Sequence, residues 1–107
     1  SLVTGKPAVK SAKVSRQGTK RKVTVKFTVP KACDGTDWVL AKKVSQSEDG
    51  SYTYVSGYAY TKKNQTKTTV IFKNVKPGVY YLTGRAYVKG YAKNYTKWSE
   101  VKKVVVK

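Results

Sequence analysis

The chain is 107 residues long, the length of one domain, and its 39% hydrophobic content is enough for one core and no second domain. It has no histidine and a single cysteine, Cys33, which excludes an internal disulfide and removes the usual transition-metal ligands and the usual general base. Basic residues number 23 against 5 acidic ones, a formal net charge of +18.

Arg16, Arg21 and Arg85 are the arginines, leaving 23 minus 3, or 20, lysines. Base-reading proteins favour arginine because its planar fork matches guanine edges and grips phosphate with two bonds, so this balance disfavours a nucleic-acid partner. No run of 18 apolar residues occurs and no membrane insertion is expected. The opening Ser1-Leu2-Val3-Thr4-Gly5 lacks the charged and apolar regions of a signal peptide, so any export signal is expected outside this segment.

In chain order the sequence is a series of short alternating runs between turn signals, the pattern of an all-β chain. Residues 1–6 are expected to form a linker and 7–107 the domain. The first strand is expected over Ala8 to Val14, with Pro7 at its mouth, where a missing N–H is harmless. Lys20 to Val29 alternates most cleanly: Val23, Val25, Phe27 and Val29 share one face, Lys22, Thr24, Lys26 and Thr28 the other. Pro30 ends that strand, and Lys31 to Asp37 is expected as a loop. Its Asp34 and Asp37 lack the spaced oxygens and closing Glu of a calcium loop, and no metal or other cofactor is expected.

Trp38 to Val44 is expected as the next strand, Trp38 and Leu40 inward, followed by a turn at Glu48-Asp49-Gly50. Tyr52, Tyr54, Tyr58 and Tyr60 then stand two apart in pairs, each pair expected on one face, with Gly57 suggesting a bulge between them. Lys62 to Gln65 is expected as a loop and Thr66 to Val75 as a strand. Lys76-Pro77-Gly78 makes a corner, after which Tyr80, Leu82, Gly84 and Ala86 point one way and Tyr81, Thr83, Arg85 and Tyr87 the other. Lys89 to Tyr95 is a hairpin tip, and Val101 to Lys107 the last strand. In that strand Val104, Val105 and Val106 run without alternation, suggesting cover on both faces or continuation into a neighbouring module.

The order Val-x-Pro-Gly-x-Tyr over Val75 to Tyr80, followed by Arg85-Ala86-Tyr87 and Trp98-Ser99-Glu100, resembles the corresponding region of fibronectin type III domains, especially lysine-rich versions on bacterial surface proteins. The resemblance runs from about Pro7 to Val106. It implies a seven-stranded antiparallel Greek-key β-sandwich of the fibronectin type III and immunoglobulin-like kind, with Phe27 where many such domains place a core tryptophan. It implies a tyrosine corner at Tyr80, whose hydroxyl would bond back to the backbone. Gly84, where the family usually has a branched apolar residue, and the short Pro77 to Tyr80 spacing suggest a bulge in that strand.

The resulting expectation is a non-catalytic extracellular spacer or adhesion module of a larger bacterial surface, cell-wall-associated or secreted protein. Its partners would be neighbouring domains of the parent chain and anionic polysaccharide or wall polymer, and the isolated domain would be a monomer. No Ser-x-x-Lys or Gly-x-Ser-x-Gly context is present to activate a nucleophile. The sequons Asn64-Gln65-Thr66 and Asn94-Tyr95-Thr96 matter only in a eukaryotic secretory pathway.

Two kinds of ligand surface are candidates. Lys10, Lys13, Lys22, Lys26, Lys67 and Lys73 would make one basic outer face, against the alternative of a solvated lysine coat that blocks edge pairing. Tyr58, Tyr60, Lys89, Tyr91, Lys93 and Tyr95 would serve a dedicated carbohydrate-binding module or, in a third alternative, a basic nucleic-acid-binding barrel, since sugars and bases both stack on tyrosine. Phe27, Trp38, Tyr80, Arg85 and Trp98 are expected to be structural, with Phe27, Trp38, Tyr80, Val25, Phe72, Leu40, Leu82 and Ala86 in one core. Trp98 is expected over the Arg85 guanidinium, a cation-π contact of about 0.5 to 2 kcal/mol.

Overall fold

Strict alternation makes one face of the run after Lys20 apolar, and that face is buried. In the computed structural model, which describes residues 3–107, β2 (Lys20–Thr28) encloses Val23, Val25 and Phe27 while Lys22 and Lys26 meet solvent. Antiparallel partners flank it, β1 (Ala8–Gln17) on one side and β5 (Thr69–Phe72) on the other. The second sheet is centred on β3 (Gly35–Gln46) and β6 (Gly78–Val88), with β4 (Thr53–Gln65) outside β3. Along the far edge of β6 run β7 (Asn94–Tyr95) and β8 (Lys102–Val106).

The two sheets share one core. Val23, Val25, Phe27, Val70 and Phe72 from the first meet Trp38, Leu40, Tyr80, Leu82, Val104 and Val106 from the second, with Phe27 and Trp38 ring centroids 4.5 Å apart. The fold is therefore all-β, two antiparallel sheets packed in the manner of a β-sandwich. Ala86, expected in the core, is fully buried but lies outside this cluster.

Several expected boundaries are corrected, each for a local reason. β3 begins at Gly35, so Asp37 is a strand residue, 6% exposed, and not part of a loop. Lys62 to Gln65 belongs to β4, because two bulges let that strand follow β3 along its length. The register slips between Leu40 and Ala41 and again between Thr36 and Trp38, each time leaving an extra residue on β4, beside Gly57 (φ 70°) and Asn64 (φ 57°). The bulge at Gly57 is as expected; the one at Asn64 is not foreshadowed. β5 is shorter than Thr66 to Val75, the chain turning at Asn74 with φ 55°.

Eight strands are present among the described residues where seven are expected, because the last edge is broken into β7 and β8. Between them side chains continue the ladder: the Gly84 N–H donates to Ser99 Oγ and the Ala86 N–H to Thr96 Oγ1, both at 3.0 Å. Val104 and Val106 are buried and Val105 is 46% exposed, so β8 alternates after all and is not covered on both faces.

No bulge interrupts β6. Its register with β3 is continuous from Tyr81 to Tyr87, and Gly84 has another cause: it lies against the Trp38 ring, where an added Cβ would come within 2.6 Å of Cε2. At the corner, the Tyr80 hydroxyl donates to the Lys76 carbonyl at 2.6 Å, bonding back to the backbone. Burial and then the neighbouring Tyr60 push the Tyr80 hydroxyl up to about 12.

Candidate anion-binding surfaces

All 20 lysines are exposed, and the only ion pair among the described residues joins Lys6 to Glu100 at 2.9 Å. The outer face of the three-stranded sheet follows from register: Lys13 stands opposite Thr24, Ser15 opposite Lys22 and Ser11 opposite Lys26. Lys13, Lys22 and Lys26 therefore share that face. Lys10 lies at a β1 bulge, and Lys67 and Lys73 flank β5 instead of standing in it, which leaves three of the six expected lysines on strand positions of one face. Lys43 and Lys103, paired with Ser56 and Tyr81, decorate the opposite sheet.

The tyrosines are divided by the bulge. Tyr58 pairs with outward Ala41 and is 55% exposed, whereas Tyr60 pairs with inward Leu40 and packs on Tyr80, ring centroids 5.7 Å apart. The Tyr60 hydroxyl also accepts the Lys76 N–H at 2.9 Å, so its work is to hold the corner, and the expected Tyr58 and Tyr60 face does not exist. Tyr52 and Tyr54 do form a pair, with centroids 5.9 Å apart.

At the other end, Tyr91 projects fully into solvent and the Lys89 N–H donates to Asp34 Oδ2 at 2.6 Å, fixing the loop after β6. Lys93 donates to Asn64 Oδ1 and lies over the Tyr87 ring, Nζ 4.5 Å from its centroid. Tyr87, expected to face outward, does so yet is 1% exposed; burial, and secondarily Asp37, raise its hydroxyl above the ordinary tyrosine range. Cys33 is half-buried, and burial followed by Asp34 raises its thiol, which makes a poor nucleophile at neutral pH.

Arg85 and Trp98 meet as expected, the guanidinium carbon 4.7 Å from the ring centroid, and Tyr95 supplies a second, closer ring at 3.7 Å. Arg85 is the floor of a groove of about 1120 Å³ walled by residues 93–101 on one side and by Gly50 to Thr53 on the other. The second wall is the β3–β4 turn. Asp49 Oδ1 fixes it by accepting from Ser47 Oγ at 2.9 Å, from the Ser51 N–H at 3.0 Å and from Ser51 Oγ at 2.7 Å. These bonds, those from Ser51 first, hold the Asp49 carboxyl down at about 2.

Sequence reasoning placed Lys93, Tyr95, Arg85 and Trp98 near this region but missed the groove, because its walls lie some 40 residues apart in the chain. Among the described residues no three of His, Cys, Asp or Glu gather as a metal site, and no helix is long and apolar enough to cross a membrane. Fold and surface together define a basic all-β module with an aromatic-walled cationic groove. No family model matches the chain, and a search of curated proteins finds no match.

Proposed function

We propose that the chain is a fibronectin type III-like module, a Greek-key sandwich in which β7 and β8 are two halves of a seventh strand, and that it serves as a non-catalytic adhesion and spacer unit. It belongs, on this reading, to a larger bacterial surface or secreted protein and contacts anionic wall polymers outside the cell. Supporting the fold assignment are the sheet order β1-β2-β5 beside β4-β3-β6 and the Tyr80 to Lys76 corner bond. The observation that carries the functional reading is the exposure of all 20 lysines with only one of them ion-paired among the described residues.

An unpaired ammonium at the surface has no ion pair to break before it meets a phosphate, stays largely hydrated there, and gains by releasing that polymer's counterions. Such contacts are weak singly and additive along a polymer, as suits adhesion. The test is binding to a purified teichoic acid, with a phosphate backbone and no carboxylate on the polymer chain, titrated with salt. Binding that is weak and lost as salt rises supports the reading; no binding at low salt removes it.

A further inference from the structure

Of the two part-buried arginines, Arg21 spends its guanidinium on backbone carbonyls, while that of Arg85 is unspent among the described residues. The Arg85 side chain makes no hydrogen bond or ion pair among the described residues, although Asp37 stands directly opposite it in the β3–β6 register. Asp37 instead accepts the Asn64 N–H at 2.9 Å through Oδ1. Arg85 Nε is buried and unpartnered, while its terminal nitrogens, equally without partners, are not fully covered. Tyr95 and Trp98 hold the guanidinium by its rings-facing surfaces, so it is fixed in place with its outer end open to the groove.

We propose that this groove is a binding site for an acidic saccharide, a uronate-type sugar whose planar carboxylate pairs with the Arg85 fork and whose ring stacks on the groove's aromatic side chains. The immobilised guanidinium favours a two-bond carboxylate pair over a diffuse ionic contact, because its geometry is set before the ligand arrives. Tyr95 and Trp98 are half-exposed, and Tyr52, on the opposite wall, is 62% exposed, offering planes for a sugar ring that a bare phosphate would not use. Lys97 adds positive charge at the rim, while the groove's carboxylate, Glu100, is already held by Lys6. The cavity exceeds the volume that a single small ligand needs, leaving room for a short oligosaccharide.

The site takes from the adhesion reading only the anionic character of the ligand, and the two are separable. The experiment is an NMR titration of the full chain with trigalacturonate, with neutral cellotriose and tripolyphosphate as comparison probes, in the wild type, Arg85→Lys and Tyr52→Ala. Expected are shifts centred on the Trp98 indole and the Tyr95 and Ser51 amides, no response to cellotriose, and weaker binding of tripolyphosphate than of trigalacturonate. Arg85→Lys keeps the net charge and should lose at least tenfold in trigalacturonate affinity while still binding teichoic acid. Tyr52→Ala, at an exposed position where folding is not at risk, should lose severalfold.

Equal trigalacturonate affinity in the wild type and in both variants overturns the site and leaves lysine adhesion standing. Shifts spread over the lysine faces, or tripolyphosphate binding as tightly as trigalacturonate, also overturn it. A groove-confined response to trigalacturonate in a protein that ignores teichoic acid upholds the site and removes the adhesion reading alone.

Discussion

Gly84→Ala adds one methyl group at the most crowded point between β6 and β3. The new Cβ would meet Trp38 Cε2 at 2.6 Å and two further ring atoms closer still, where ordinary contact needs about 3.5 Å or more. The ring has nowhere to go: it is fully buried, packs on Phe27 at 4.5 Å and donates from Nε1 to Thr36 Oγ1 at 3.0 Å. Overpacking of a filled core costs about 1 to 3 kcal/mol, and pulling Nε1 from its acceptor about 0.5 to 1.5 kcal/mol. Against these, alanine stiffens the unfolded chain and returns about 0.4 to 1 kcal/mol.

The net is a loss centred on about 2 to 3 kcal/mol, a drop in Tm of roughly 10 to 20 °C for a domain of this size. Urea unfolding of the wild type, Gly84→Ala, Trp38→Phe and the double variant measures it. The smaller ring makes room for the methyl group, so the double variant should be at least about 1 kcal/mol more stable than the single losses add up to. A Gly84→Ala protein within about 0.5 kcal/mol of wild type would refute the close-approach account of that glycine.

Phe27→Ala should cost about 3 to 5 kcal/mol by urea unfolding, since it empties the space beside Trp38 at the centre of the shared core; unchanged stability would break the core assignment. Tyr80→Phe removes the 2.6 Å bond to the Lys76 carbonyl and should cost about 0.5 to 1.5 kcal/mol at pH 8. Because the folded Tyr80 value is raised to about 12, its contribution is fully present below the unfolded value of about 10 and is lost as pH rises between the two. The gap between wild type and Tyr80→Phe should therefore narrow from pH 10 to pH 12, with lysine titration common to both proteins; a gap constant with pH would contradict it.

Where one side-chain period decided the outcome, the sequence was enough. Val23 to Phe27 shows its buried face in its own alternation, Trp38 and Leu40 point inward as their parity requires, and Arg85 meets Trp98 because both stand on the outward face of neighbouring chain segments. Parity fails wherever the backbone adds a residue, which side-chain chemistry does not announce. Tyr58 and Tyr60 are separated by such a bulge, so a pair drawn as one platform is split between solvent and core. Thr83 and Tyr87 are outward yet buried because later chain covers them, Thr83 Oγ1 donating to the Ser99 carbonyl at 2.9 Å and the Tyr87 ring packing on Tyr95. Three successive valines conceal the alternation of β8, and the groove arises only when the β3–β4 turn meets residues 93–101.

The central claim, adhesion through exposed lysine, is tested most directly by teichoic acid affinity measured across salt in charge-reversed variants. Lys22→Glu with Lys26→Glu removes two of the four lysines, Lys13, Lys20, Lys22 and Lys26, at strand positions on the outer face of the three-stranded sheet. Lys89→Glu with Lys93→Glu makes the same change in net charge on the loop between β6 and β7, where Lys93 is already engaged by Asn64 and Tyr87. Neutralising about three phosphates, at about 0.7 decade of affinity per decade of salt for each, gives a loss of roughly tenfold or more between about 50 and 200 mM salt. The account predicts that loss in the wild type and a larger affinity defect, with a shallower salt slope, in the Lys22 and Lys26 variant than in the Lys89 and Lys93 variant. Affinity that ignores salt, or that survives reversal of both pairs, would contradict it.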